Sequence, residues 1–129
     1  MAKLLLVALG GALGTLARYG VNSLAHEKYT GLFPLATLTV NLTGSFIIGL
    51  VWGITSGLNI NQNLVAFLSI GVLGGFTTFS SYSLETLNLL RVGDYKLALY
   101  SVLLNNVAGI LLAFLGFMLA KQVLQYYGK

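Results

Sequence analysis

Gly74-Gly75-Phe76-Thr77-Thr78-Phe79-Ser80-Ser81-Tyr82-Ser83 lies in the middle of an apolar stretch running from 64 to 90. At 27 residues that stretch is longer than the roughly 20 needed to cross a bilayer. A run of Gly, Thr and Ser at membrane depth predicts a broken helix, whose freed amides and carbonyls must be satisfied inside protein or by an ion. Broken helices at the midplane mark ion sites in transporters. The plainer alternative is a long tilted helix whose hydroxyls bond back to their own backbone.

Three further stretches of spanning length flank this one, at 4–21, 32–56 and 97–120. The links, 22–31, 57–63 and 91–96, are short and polar. The expectation is one domain, residues 1–129: an all-α membrane protein of four transmembrane helices with the third broken mid-membrane. Composition agrees, since 57% of the residues are hydrophobic and 8% charged, where a soluble domain carries about a quarter charged residues. Ten fixed charges do not cover the surface of a water-soluble globule of this size. Lys3 followed by Leu4 to Leu9 imitates a secretory signal, but the segment continues through Gly10, Gly11 and Gly14 to Arg18 without a small-x-small cleavage site, so a retained first helix is expected.

The net charge of +4 does not indicate nucleic acid, because Lys3, Arg18, Lys28, Arg91, Lys96, Lys121 and Lys129 are scattered rather than clustered among stacking aromatics. With four spans, Lys3, Lys121 and Lys129 fall on one side, and Lys28, Arg91 and Lys96, with Arg18 near its helix end, on the other. That near-balance gives little orientation bias. Insertion both ways round follows, and an antiparallel dimer with a two-fold axis in the membrane plane is the natural assembly. There are no cysteines and a single histidine, His26, read as a solvated loop residue. Paired carboxylates, a nucleophile with its base, a phosphate loop and metal-ligand spacing are all missing, so an enzyme is not expected.

Thr37, Asn41 and Ser45 recur every four residues, advance only about 40° per step and share a helical face. Ser101, Asn105 and Gly109 do the same in the fourth span. Each strip offers neutral donors, and Asn41 matters most, since a buried amide finds either a neighbouring helix or a ligand. Phe79 and Tyr82, three apart, lie side by side where helix resumes after the break. Their ring edges carry partial positive charge and can face an anion without trapping it; ordinary packing is the competing reading. Gly10 with Gly14, Gly49 with Gly53, Gly71 with Gly75 and Gly116 with Ala120 support close helix packing in general. Of the carboxylates, Glu27 and Asp94 fall in links and only Glu85 within a span, which weakens a proton-driven exchanger.

Three blocks, 10–19 (GGALGTLARY), 37–46 (TLTVNLTGSF) and 71–85 (GVLGGFTTFSSYSLE), together make the chain resemble the bacterial fluoride channels of the Fluc (CrcB) family. The resemblance covers all four spans. It implies a dual-topology antiparallel dimer in the bacterial inner membrane with two pores, through which fluoride leaks passively out of the cytoplasm. It also implies a structural sodium ion at the dimer centre, held by the backbone carbonyls of Gly74 and Thr77 from each subunit. By motif position Asn41 matches the pore asparagine, Thr37 and Ser80 match pore hydroxyls, and Phe79 the first of two pore phenylalanines. Apart from the resemblance, Asn105 joins the candidates by its place on the polar strip of the fourth span, and Arg18 near its helix end is either a snorkelling interface residue or an anion-gathering one at the pore entrance. Tyr82 stands where the family has the second phenylalanine, and its hydroxyl either donates to fluoride or narrows the path. Ala36 stands where the family usually has Gly before the Thr. Some members pair unlike subunits, so the partner is a second copy or a related chain. The rival readings are a small four-helix multidrug/proton exchanger and a purely structural membrane protein in which the Asn41 and Asn105 strips are glue.

Overall fold

The computed structural model describes residues 1–127. Its four longest helical stretches, Ala2–Lys28, Leu35–Thr55, Gln62–Arg91 and Tyr95–Tyr126, are each long and apolar enough to cross a membrane, and no strand occurs among the described residues. The chain is a multi-pass all-α membrane protein. Lys129, placed on the terminal side by the charge sorting above, lies outside the described residues.

The first, third and fourth helices outrun the apolar stretches that announce them, whereas the second, Leu35–Thr55, falls inside the expected 32–56. Hydropathy puts the end of the first near residue 21, yet the helix continues to Lys28 and takes in Asn22, His26 and Glu27, which the sequence pattern assigns to a link. Hydropathy registers only the hydrocarbon thickness, whereas a helix beyond it needs nothing but an intact backbone ladder. His26 and Lys28 in its last turn also suit the negative end of the helix dipole. The second helix starts directly after Pro34, where a missing N–H costs nothing. Asn61 and Asp94 cap the third and fourth spans, accepting from Asn63 N–H at 2.8 Å and Leu97 N–H at 3.2 Å. Gly93, at φ 82°, makes the tight turn between those spans in a conformation that favours glycine.

Small residues face inward and large ones outward. On the first helix Gly10 and Gly14 are buried while Leu9, Leu13 and Leu16 are exposed. The four Gly-x-x-x-small pairs sort into two seams. Gly10 and Gly14 meet the third span, where a methyl on Gly10 would lie 2.7 Å from Phe67 O, and one on Gly75 2.5 Å from Gly11 O. Gly49 and Gly53 meet the fourth, where a methyl on Gly53 would lie 2.6 Å from Ala120 Cβ and one on Gly116 3.0 Å from Leu50 N. Backbones can approach this closely only without Cβ atoms, and that contact replaces the hydrophobic driving force that lipid does not supply.

The third span changes partner at its midpoint. Its first half comprises Gln62–Ala66, a π-helical stretch Phe67–Val72 and Leu73–Phe76, and lies along the first helix. Its second half, Phe79–Arg91, packs against the start of the fourth span, Tyr95–Leu103. There Thr86 and Ser101 pair through their hydroxyls at 2.9 Å, with Ser101 fully buried. The fourth span carries a second π-helical stretch, Leu104–Ala108.

Candidate functional site

Between the two halves, Thr77 (φ −80°, ψ 158°) and Thr78 (φ −151°, ψ 116°) are extended, so the helix is broken where the Gly-Thr run predicts. Thr77 N–H still reaches Leu73 O at 3.0 Å. Thr78 N–H turns away and donates to Asn41 Oδ1 at 2.8 Å, and Asn41 Nδ2 donates back to Thr78 O at 3.1 Å. The side-chain amide thus stands in for a peptide group, supplying acceptor and donor to one residue of broken backbone. Its second N–H goes to Asn105 Oδ1 at 2.9 Å. Both hydrogens of Asn41 are thereby committed to protein. Arg18 Nη1 donates to the Thr77 carbonyl at 3.2 Å. Thr78 Oγ1 accepts from Ser81 N–H at 3.2 Å, capping the second half-helix, and lies 3.3 Å from Ser80 Oγ.

The break opens onto a cavity of about 330 Å³. Asn41, Phe79, Tyr82, Asn105, Gly74 and Thr77, all singled out from sequence, are in its wall. Ser45 and Ser69 add hydroxyls and Leu73 and Ile48 apolar surface. Phe79 and Tyr82 meet edge-on, ring centres 5.2 Å apart, with Tyr82 buried and Phe79 74% exposed on the single chain. Asn106 Nδ2 donates to the Tyr82 hydroxyl at 3.0 Å. The wall is neutral and rich in hydroxyl and amide groups, chemistry that exchanges with the hydration shell of a small ion without holding it by net charge.

Three candidates, Ser80, Thr37 and Arg18, are not among the residues that line this cavity. Thr37 lies one turn before Asn41 but donates to Glu85 Oε1 at 2.8 Å, outside this cavity. Arg18, placed by sequence at the pore entrance, has ten further helical residues after it and reaches the break itself. Glu85 also lines a second cavity of about 290 Å³ with Asn22, His26 and Tyr29, at the end of the first helix. There Glu85 Oε2 and Asn22 Oδ1 are buried without a protein partner among the described residues. Thr78 and Asn106 are not singled out by the sequence. Thr78 contributes mainly through its backbone, which leaves no mark on composition. Asn106 is signalled only by its place beside Asn105 in an apolar span.

No group of three or more His, Cys, Asp or Glu side chains able to hold a metal occurs among the described residues. Backbone oxygen is a different matter. Because Thr78 N–H is diverted, the Gly74 carbonyl loses the donor four residues on that a continuous helix supplies. The Thr77 carbonyl keeps one lone pair beside its Arg18 bond. Gly74 is exposed, and a methyl there would meet nothing nearer than Ser69 O at 3.9 Å. Such hard carbonyl oxygens fit a sodium-like cation.

A profile of the family described as "CrcB-like protein, Camphor Resistance (CrcB)" matches residues 5–117. The chain is 44% identical over 124 residues to a protein of Parabacteroides distasonis, covering 96% of this chain and 97% of the relative. It is 48% identical over 119 residues to one from Thermus thermophilus (92% and 95%) and 42% identical over 118 residues to one from Magnetococcus marinus (91% and 96%). Each of these relatives bears the name "Fluoride-specific ion channel FluC".

Proposed function

This chain belongs to the CrcB family, and from that membership we infer that it is a fluoride-selective passive channel, not an enzyme, which lowers cytoplasmic fluoride from the bacterial inner membrane. The observation that carries the reading is the neutral cavity at the break, where hydroxyls, amides and aromatic edges converge and no fixed charge lines the wall. Fluoride is small and strongly hydrated, so a path for it must replace water with hydrogen-bond donors, yet weakly enough for release. Hydroxyls and the edges of Phe79 and Tyr82 serve that end. Asn41 holds the break in shape, because both of its N–H groups are already engaged.

The proposed assembly is an antiparallel dual-topology homodimer. Gly74, Phe79 and Ser80 are exposed on the single chain beside an interrupted backbone. Interrupted backbone at membrane depth is tolerated only where protein or a water-filled cavity covers it. A second copy, inverted as the balanced Lys and Arg allow, supplies that cover. In this assembly the Gly74 and Thr77 carbonyls of both subunits hold a structural sodium ion. The ion supplies a fixed positive charge close to the anion path and offsets the freed carbonyls. Ser80 adds a hydroxyl beside the break, Thr37 holds Glu85, and Arg18 braces the carbonyl at the break.

The test is efflux from liposomes containing the purified chain alone, read with a fluoride electrode and repeated with chloride. Rapid fluoride release with negligible chloride release is the expected result. Equal release of both refutes the selectivity, and release only with a related subunit added refutes the homodimer.

A further inference from the structure

The Tyr82 hydroxyl, for which the sequence leaves two readings open, is paired with Asn106. Asn106 Nδ2 donates to the Tyr82 hydroxyl at 3.0 Å and to the Val102 carbonyl at 2.8 Å. An amide nitrogen has two hydrogens, and both are used. Turning the amide over would set its oxygen against the Val102 carbonyl oxygen, so that carbonyl decides which way Asn106 faces. The Tyr82 oxygen therefore accepts, and its single proton remains unassigned: the hydroxyl bonds to no other protein group among the described residues.

We infer that Asn106 aims the Tyr82 hydroxyl proton into the cavity at the break, making it a hydrogen-bond donor to the permeating anion; this rests on the fluoride reading above. Tyr82 and Asn106 both line that cavity. Tyr82 is 8% exposed and its ring edge-on to Phe79, so the hydroxyl does not swing away. Neighbouring residues of an α-helix point about 100° apart, yet Asn105 and Asn106 both face the cavity, one toward Asn41 and the other toward Tyr82. The Asn106 amide and the Tyr82 hydroxyl form a chain in which the bond that the phenol oxygen accepts strengthens the one that its proton donates. A phenol that already accepts a hydrogen bond donates more strongly, as a compact anion requires. Asn106 is thus a positioning residue and Tyr82 the contact.

The experiment measures initial fluoride efflux from liposomes over a range of fluoride concentrations for the wild type, Tyr82→Phe, Asn106→Leu and the double variant, with the unfolding midpoint of each recorded. A bond from a neutral donor to an anion is strong enough that its loss raises the half-saturating fluoride concentration by about tenfold in Tyr82→Phe. Asn106→Leu raises it by a smaller factor, and adds nothing when combined with Tyr82→Phe. An unchanged half-saturating concentration in Tyr82→Phe overturns the inference while leaving the fluoride reading intact. So does an Asn106→Leu effect that persists in the double variant. If Asn106→Leu does not fold, Tyr82→Phe alone decides. A wild type that conducts no fluoride overturns both readings.

Discussion

Removing the amide of Asn41 tests whether the break is held open by that side chain. Asn41→Ala deletes three bonds between helices: two to the Thr78 backbone at 2.8 and 3.1 Å and one to Asn105 at 2.9 Å. Interhelical hydrogen bonds in membranes average about 0.6 kcal/mol each, so the loss is about 2 kcal/mol. At about 1.4 kcal/mol per factor of ten, the unfolding equilibrium shifts about 30-fold. Asn105→Ala deletes only one of the three interhelical bonds, its other partner being Ser101 O in the same helix. Its cost is about 0.6 kcal/mol, or roughly threefold. Circular dichroism of both variants during SDS titration of mixed micelles measures the ratio, and liposome efflux of fluoride is read in parallel. Asn41→Ala is expected to lose most flux as well, since an unclamped break no longer shapes the cavity wall. Equal destabilisation by the two variants would refute the clamp, as would an Asn41→Ala protein as stable as wild type.

The remaining predictions concern other parts of the same machinery. Gly75→Ala forces a methyl to 2.5 Å from Gly11 O and 3.1 Å from Thr15 N, and overpacking of this kind costs about 1–3 kcal/mol; the thermal midpoint in detergent should fall, whereas Gly74→Ala, with open space on the single chain, should keep the fold and impair dimerisation by size-exclusion chromatography. Arg18→Met strips the Thr77 carbonyl of its donor, and loss of a bond from a charged group costs about 1.5–3 kcal/mol; the same midpoint should drop, with Arg18→Lys recovering part of it. Replacing sodium by N-methylglucamine during purification should weaken the dimer in a concentration-dependent way, while a sodium gradient across the liposome should not drive fluoride; coupled movement of the two ions would contradict a structural role. Because the chain has no cysteine, a single cysteine introduced at Asn59 is a clean reporter of orientation, and an impermeant maleimide applied to intact cells should label about half of it.

Much of the fold is open to reading before any coordinates, for a physical reason: a bilayer imposes length, and four apolar stretches of sufficient length leave few alternatives. The break is also legible, since Gly, Thr and Ser clustered at that depth favour it over the plainer reading of a long tilted helix. Helix ends are not, because past the hydrocarbon the rule that marks a span no longer operates; hence the first helix running on to Lys28. The Gly-x-x-x-small pairs are visible one by one, but their pairing into two seams is a property of the assembled helices. Asn41 stands out, whereas its partner does not, because it is the Thr78 backbone. Thr37 shares a face with Asn41 by spacing, yet bonds Glu85 one turn away; spacing gives direction around a helix and not what waits there. The bond from Arg18 to Thr77 spans 59 residues, with no local signal in either segment.

The amide clamp at position 41 has an evolutionary corollary. A side chain in this place must present a donor and an acceptor together, at the reach of a single methylene, as one peptide group does to another. From either asparagine codon, a single base change yields Lys, Asp, Ser, Thr, Ile, His or Tyr, and none of these carries an amide. Glutamine lies more than one base away and is a methylene too long. No graded series of substitutions therefore leads away from this residue, and a lineage that loses it must rebuild the break around another partner.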